Sequence, residues 1–242
     1  MKFLDLHTHI LPGVDDGAQT VEDSLQMLRN AAASHVAAVV ATPHSNVLPH
    51  WENYDCEAFR GRLLQLRQLA AREGIPVQII AGAEVRVTEE LPELLRQKKI
   101  MSINAGVYLL AEFAPWDAPD FMLEQLEKIR DRGYIPLIAH PERYGAVCRS
   151  PSLVGDWLEM GCHIQMTAGS ILGKFGPEAR KAAEYLLRNN MTACVASDAH
   201  GVRRRTNFLM EVYDHLSLKY GKGFAQALLW ETPLRICAGE PL

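Results

Sequence analysis

Short, unbroken apolar runs alternate with longer amphipathic segments along this chain, and that alternation limits its fold more than any other feature. The runs are Phe3–His7, Val36–Thr42, Val77–Gly82, Val107–Phe113, Ile135–His140, His163–Thr167 and Ala193–Ser197. Continuous rather than alternating hydrophobicity predicts strands buried on both faces of a parallel sheet. The segments between them read as helices. Thr20 caps Val21–Ala33, with Asp23 three residues on as its reciprocal partner. Asp55–Glu73 carries Phe59, Leu63, Leu66 and Ala70 at helical spacing, and Gly74 closes it. Ala118–Arg132 repeats the plan with Met122, Leu126, Ile129 and Gly133, while Pro177 stands in the first turn ahead of Glu178–Asn189. Asn207–Tyr220 and Phe224–Trp230 read as terminal helices. No linker or internal repeat divides the chain, so residues 1–242 are expected to form one domain. Seven βα units in succession fit an α/β fold of the seven-stranded (β/α) barrel type better than an open doubly wound sheet. No GxGxxG or GxxxxGK[ST] follows a run, which removes dinucleotide and Walker-type phosphate binding.

In (β/α) barrels the site is built at the C-terminal ends of the strands. Here the first run ends in His7-Thr8-His9, the second in Thr42-Pro43-His44 and the third in Gly82-Ala83-Glu84. The fourth ends in Ala111-Glu112, the fifth in His140-Pro141-Glu142-Arg143 and the seventh in Ser197-Asp198-Ala199-His200. A lone strand-end histidine is commonly a packed rim residue; six of seven runs finishing in a titratable group is a pattern. Charged groups at such positions are costly unless paired or bound to metal. His7, His9, His44, His140 and His200 therefore join Glu84, Glu112 and Asp198 as candidate ligands, with Asp15 or Asp16 adding a further carboxylate. Eight or nine nitrogen and oxygen donors exceed the needs of one tetrahedral ion and suit two or three ions bridged by carboxylates. Imidazole mixed with carboxylate and lacking thiolate favours Mn, Fe or Zn over Mg or a structural thiolate zinc. His35, His50, His163 and His215 lie off the pattern, although the loop bearing His50 leaves the second run and can overhang the site.

Composition narrows the partner. With 25 Lys+Arg against 29 Asp+Glu, the net charge of −4 argues against nucleic acid or an anionic membrane surface. Against that background Arg143 and the run Arg203-Arg204-Arg205 stand out beside the strand ends, and guanidinium groups there suit a phosphoryl group. Trp51, Tyr54, Trp116 and Tyr144 lie in the same loops and either stack on a phenyl ring or pack beneath those loops. The N-terminal acid and imidazole argue against a signal peptide, and Ala31–Thr42 is too short to span a bilayer. Five cysteines without a CxxC pair read as reduced thiols of a cytoplasmic protein.

The strand-end motifs together resemble the polymerase and histidinol phosphatase (PHP) superfamily. Within it, His9-Ile10-Leu11-Pro12-Gly13-Val14-Asp15-Asp16-Gly17 and His140-Pro141-Glu142-Arg143-Tyr144 most resemble the metal-dependent tyrosine-protein phosphatases of bacterial capsule and exopolysaccharide operons. The likeness runs from residue 5 to about 205. It implies a distorted seven-stranded (β/α) barrel and a trinuclear, often manganese-dependent, site. By that resemblance His7, His9, Glu84 and Asp198 would hold one ion, Glu84, Glu112 and His140 a second, and Asp16, His44 and His200 a third. Arg143 and Arg205 would correspond to the phosphate-binding arginines. The implied substrate is phosphotyrosine on a cognate tyrosine autokinase, attacked by a hydroxide bridging two ions. A small-molecule phosphatase acting on histidinol phosphate or a nucleotide is the nearest alternative; a non-catalytic metal-binding barrel is a more distant one.

Cys56-Glu57-Ala58-Phe59-Arg60-Gly61-Arg62 also matches the CX5R pattern of thiolate phosphatases. Its intervening residues are helix formers rather than a glycine-rich turn whose N–H groups cradle phosphate, so Cys56 is not expected to act as a nucleophile.

Overall fold

A computed structural model describes residues 1–242. The first half of the chain forms β1 (Phe3–Thr8), α1 (Val21–Ala33), β2 (Val36–Ala41), β3 (His44–Ser45), α2 (Glu57–Arg72), β4 (Gln78–Ala81), β5 (Glu84–Arg86), α3 (Leu91–Arg96) and β6 (Tyr108–Glu112). The second forms α4 (Pro119–Asp131), β7 (Ile135–Ala139), α5 (Gly145–Arg149), α6 (Val154–Glu159), β8 (His163–Thr167), α7 (Ala168–Ile171), α8 (Pro177–Arg188), β9 (Cys194–Ala196), α9 (Met210–Tyr220), α10 (Lys222–Gln226) and α11 (Thr232–Ala238).

The strands make two parallel sheets, ordered β1-β2-β4 and β3-β5-β6-β7-β8-β9. Two of the apolar runs continue past the ends the sequence suggests. The second resumes as β3 after Thr42-Pro43, and the third resumes as β5 after Gly82-Ala83, each passing from the first sheet to the second. Pro43 has no N–H to give a ladder, so a break there is the physical expectation. β9 returns to β1 through a parallel bridge between Thr8 and Ala199. At that junction Asp198 N donates to His7 O at 3.0 Å and His9 N to Ala199 O at 2.8 Å. Buried Asp5 ties it further, accepting from Ser197 N at 2.9 Å and Ser197 Oγ at 2.6 Å. Burial pushes the Asp5 carboxyl up to about 6, against the pull of those hydrogen bonds.

Alternate strand residues fall into two apolar layers, which explains why the runs are continuously hydrophobic. Leu4, Val40, Ile80, Leu110, Leu137 and Ala196 pack with one another and with Ile236 and Cys237 of α11. Their chain neighbours Phe3, Val39, Ile79, Leu109, Ile138 and Val195 pack instead toward Leu28, Leu63, Leu126 and Leu186 of the helices. The strand ends carrying the candidate ligands lie away from α11. That helix sits near the start of β6, where the Tyr108 hydroxyl donates to Glu240 O at 2.7 Å.

The helices follow the sequence reading closely. Thr20 and Asp23 make the reciprocal cap, with Asp23 N donating to Thr20 Oγ1 at 3.1 Å and Thr20 N to Asp23 Oδ2 at 3.0 Å. The helix expected over Phe224–Trp230 is different: α10 passes through a wide π turn at Ala227–Glu231 into α11. Helices α3, α5, α6 and α7 are short insertions without a clear periodic signal. No helix is long and apolar enough to cross a membrane.

Candidate metal centre

All nine candidate ligands converge at one end of the sheets, where β1, β6, β7 and β9 finish and where β3 and β5 take over from β2 and β4. His7 lies on β1 and His9 just beyond it; His44 lies on β3, Glu84 on β5 and Glu112 at the end of β6. His140 follows β7, while Asp198 and His200 follow β9. His140 (φ 35°) and Asp198 (φ 54°) both occupy the left-handed region. Such backbone costs on the order of 1–3 kcal/mol per residue, and here it turns each side chain into the cluster.

The tightest group is His7 Nε2, His9 Nε2, Glu84 Oε2 and Asp198 Oδ1. The two imidazole nitrogens are 3.2 Å apart. Glu84 Oε2 lies 3.2 and 3.3 Å from them, and Asp198 Oδ1 lies 3.5 and 3.6 Å. A tetrahedral ion with bonds of about 2.0–2.2 Å has ligand–ligand edges of about 3.3–3.6 Å, so the spacing fits one such ion. Next to it, His140 Nε2 is 2.8 Å from Glu84 Oε1 and 3.8 Å from Glu112 Oε1. On the other side, Asp16 Oδ1 lies 3.5 Å from His44 Nε2 and 3.4 Å from His200 Nε2. His44 Nδ1 is also 3.0 Å from Glu84 Oε2, so this imidazole spans two carboxylates. Glu84 Oε2 and Asp198 Oδ1 are buried among imidazole nitrogens without a well-directed hydrogen bond. Lone pairs so placed, among imidazoles, are a donor set suited to cations.

The electrostatics agree. Burial opposes charge on His9, yet hydrogen bonds to Asp15 and Glu84 raise it to about 10. Burial likewise opposes charge on His7 and His44, but the neighbouring carboxylates raise both. The cluster is thus anionic enough to draw positive charge to these imidazoles, and a cation among them answers the same demand. His140 goes the other way: burial and then Arg143 push it down to about 4, keeping a neutral, ligating imidazole. Burial and the Glu84 charge raise Glu112 to about 7, whereas a hydrogen bond from His200 lowers Asp16 to about 2.

Geometry separates Asp15 from Asp16. Asp15 Oδ2 accepts from His9 Nδ1 at 2.7 Å and His44 N at 3.0 Å, and its Oδ1 accepts from Gly17 N at 2.9 Å. Both Asp15 oxygens are engaged in holding His9 and the loop, while Asp16 faces the open side of the cluster. Gly17 makes that loop possible, since a Cβ there would collide with the carbonyl oxygen and Cβ of His9. Gly17→Ala is expected to displace Asp16 and lower metal retention or turnover about 10- to 100-fold, the range for outer supports of a metal site. Metal analysis and steady-state rates check this, and wild-type values for both would refute it.

Three supports escaped the sequence reading. His7 Nδ1 donates to Gln165 Oε1 at 2.8 Å, and Gln165 lies on β8, from the one apolar run with no titratable group at its end. Its only signal was a polar residue inside an apolar run. Arg86 reaches Glu112 Oε2 at 3.1 Å, and Phe175 lies beneath the arginines discussed below. Arg143 Nη1 and Arg205 Nη2 both donate to Asp198 Oδ2, at 2.8 and 2.6 Å. Arg203 and Arg204 are exposed.

Of the loop aromatics, Trp51 stacks on His44 with ring centroids 5.2 Å apart. Trp116 is 83% exposed, and Tyr54 donates to Asn46 Oδ1 at 3.1 Å. Tyr144 packs and offers no stacking surface: it is buried, donating to Ala139 O at 2.7 Å and accepting from Phe113 N at 3.0 Å. It fastens the end of β6 to that of β7. His35 and His50 are exposed, and His163 and His215 half-buried, outside the cluster. Cys56 is exposed at the N-terminus of α2, and the CX5R segment after it is helical.

Relatives carry the same architecture. YwqE of Bacillus subtilis, a tyrosine-protein phosphatase, is 36% identical over 219 residues, covering 90% of this chain and 85% of its own. The tyrosine-protein phosphatase CpsB of Streptococcus pneumoniae is 30% identical over 240 residues, covering 96% and 97%. A solved structure from work on YwqE and CpsB, described as metal-dependent tyrosine phosphatases, superposes with a TM-score of 0.90 at 32% identity, covering 98% of this chain and 95% of that one. The family model for capsular polysaccharide synthesis, CpsB/CapC, matches residues 3–238. With that span and those identities, the chain belongs to the CpsB/CapC family, a branch of the PHP superfamily.

Proposed function

We propose that this chain is a metal-dependent protein-tyrosine phosphatase, a phosphoric monoester hydrolase serving capsular or exopolysaccharide synthesis. The observation that carries the reading is the convergence of five imidazoles, four carboxylates and two guanidiniums at one end of the parallel sheets. His7, His9, Glu84 and Asp198 would hold one divalent ion; Glu84, Glu112 and His140 would hold a second; Asp16, His44 and His200 would hold a third. Manganese is the favoured ion, with iron or zinc as substitutes. When bound, such ions lower the pKa of water and neutralise phosphoryl oxygens. The protein's own groups arrange the rest. Asp15 and Gln165 take the Nδ1 protons of His9 and His7, and the Asp198 carbonyl takes that of His200 at 3.0 Å, so all three imidazoles present Nε2 to the cluster. Arg143 and Arg205 keep further N–H donors free beyond Asp198, and these bind the phosphoryl oxygens. Trp51 offers its ring at the rim for the phenyl group.

The same reading takes the two sheets as one distorted seven-stranded (β/α) barrel forming a single catalytic domain over 1–242. β2 with β3 and β4 with β5 each count as one interrupted strand, and the Thr8–Ala199 bridge is the closing seam. The substrate is a bacterial tyrosine autokinase. The five free cysteines support a cytoplasmic location.

Assay of the manganese-loaded protein on phosphotyrosine peptides from the autokinase tests this. Turnover is expected, lost on chelation, restored by manganese and unchanged in Cys56→Ser. Inactivity with metal bound would overturn the catalytic reading. Faster turnover of histidinol phosphate than of the peptides would overturn the substrate.

A further inference from the structure

Phe175 sits in the turn between α7 and α8, partly exposed beside the cluster. The Cζ atom of Arg143 lies 4.6 Å over its ring centroid and that of Arg205 lies 5.8 Å from it. Both arginines also donate to one oxygen, Asp198 Oδ2, so each guanidinium is fixed by a carboxylate and an aromatic ring together. Neither is enclosed, with side chains 28% and 34% exposed. The ring is itself braced. A Cβ at Gly169 would come within 2.6 Å of Phe175 Cε2 and 3.1 Å of Cδ2. The next residue back is pinned twice, Lys174 N donating to Gly169 O at 2.7 Å and Lys174 Nζ to Glu211 Oε2 at 2.9 Å.

We propose that Phe175 is a positioning residue that holds Arg143 and Arg205 side by side as one phosphate-binding fork; this rests on reading the two arginines as phosphoryl ligands. A guanidinium lies favourably on the electron-rich face of a ring, more so where water is partly excluded. Long arginine stems lose rotamer freedom when they grip a phosphoryl group, and ordering them beforehand removes that cost from binding. The effect of Phe175 therefore falls mainly on the affinity for phosphate and phosphate esters, reaches the chemical step only in part because both arginines keep their charge and their bonds to Asp198, and leaves the metal ions alone.

Orthophosphate inhibition and steady-state kinetics on p-nitrophenyl phosphate, measured on manganese-loaded protein with metal content and Tm alongside, test the proposal. Phe175→Leu keeps an apolar side chain but loses the ring. It is expected to weaken orthophosphate binding and raise KM about three- to tenfold, with kcat falling far less than in Arg143→Ala and metal content close to wild type. Phe175→Tyr is expected to restore wild-type affinity. Gly169→Ala leaves the ring in place chemically but pushes it aside, and is expected to shift KM in the same direction as Phe175→Leu. If Phe175→Leu fails to fold, Gly169→Ala carries the test. Arg143→Ala is the control. Weakened phosphate binding in Arg143→Ala but wild-type binding in Phe175→Leu overturns the role of Phe175 alone, as does a defect that Phe175→Tyr fails to restore. Wild-type phosphate affinity in Arg143→Ala overturns the arginine reading and the proposal with it.

Discussion

Glu84→Gln is expected to lower turnover by about 10³-fold or more and to strip the protein of much of its metal. The two oxygens of Glu84 face four of the candidate ligands at once. Its Oε2 lies 3.2, 3.3 and 3.0 Å from His7, His9 and His44, and its Oε1 lies 2.8 Å from His140. A neutral amide of the same shape removes the charge that, on the proposed reading, would bridge two ion positions. Losing several kcal/mol of charge stabilisation corresponds to about three decades in rate. The folded state suffers as well. Despite its burial, Glu84 is held well below the usual carboxylate range by His7, His44 and its bond to His140, and breaking such a buried pair costs about 3–5 kcal/mol. Metal analysis, turnover and thermal unfolding of the chelated protein check all three effects. A variant with full metal content and turnover within about tenfold of wild type would remove Glu84 from the bridging position.

Arg143→Ala and Arg205→Ala are each expected to reduce turnover on phosphotyrosine peptides about 10²- to 10³-fold while leaving metal content intact. The magnitude is that of deleting one preorganised donor to developing charge. Metal retention has no reason to fall, because both guanidiniums engage Asp198 Oδ2 whereas Oδ1 faces His7 and His9. Since the two arginines share one carboxylate oxygen, the double variant should lose less than the product of the single losses. Lysine at either position retains charge but not the planar fork, and should recover only part of the rate. Wild-type turnover in either alanine variant would remove that arginine from the phosphoryl site.

Most of the architecture was legible because it is encoded locally. Continuous apolar runs reveal strands buried on two faces, and a titratable residue closing such a run has no place in an apolar layer. His7, His44, Glu84, Glu112, His140 and Asp198 all declared themselves that way. The supports did not, because their meaning depends on partners distant in sequence. Gln165 is 158 residues from the imidazole it orients, and Asp5 is 192 residues from the serine it holds. Tyr144 stayed open between stacking and packing for the same reason: a loop aromatic and a buried tie between two strands look identical until the neighbouring strand is in place.

The sequence by itself determined the class of fold, the donor types and the end of the sheet at which they meet, since hydrophobic period and residue chemistry are properties of short segments. Tertiary structure decided which atom faces which. It sent Asp15 to His9 and left Asp16 for His44 and His200, brought Arg205 to Asp198 while Arg203 and Arg204 stayed at the surface, and slid Phe175 beneath the two arginines. Those choices rest on left-handed backbone at His140, Asp198 and Arg205 and on close approach at Gly17 and Gly169. Non-glycine residues hold such conformations only where surrounding packing enforces them, and that packing exists only once the chain has folded.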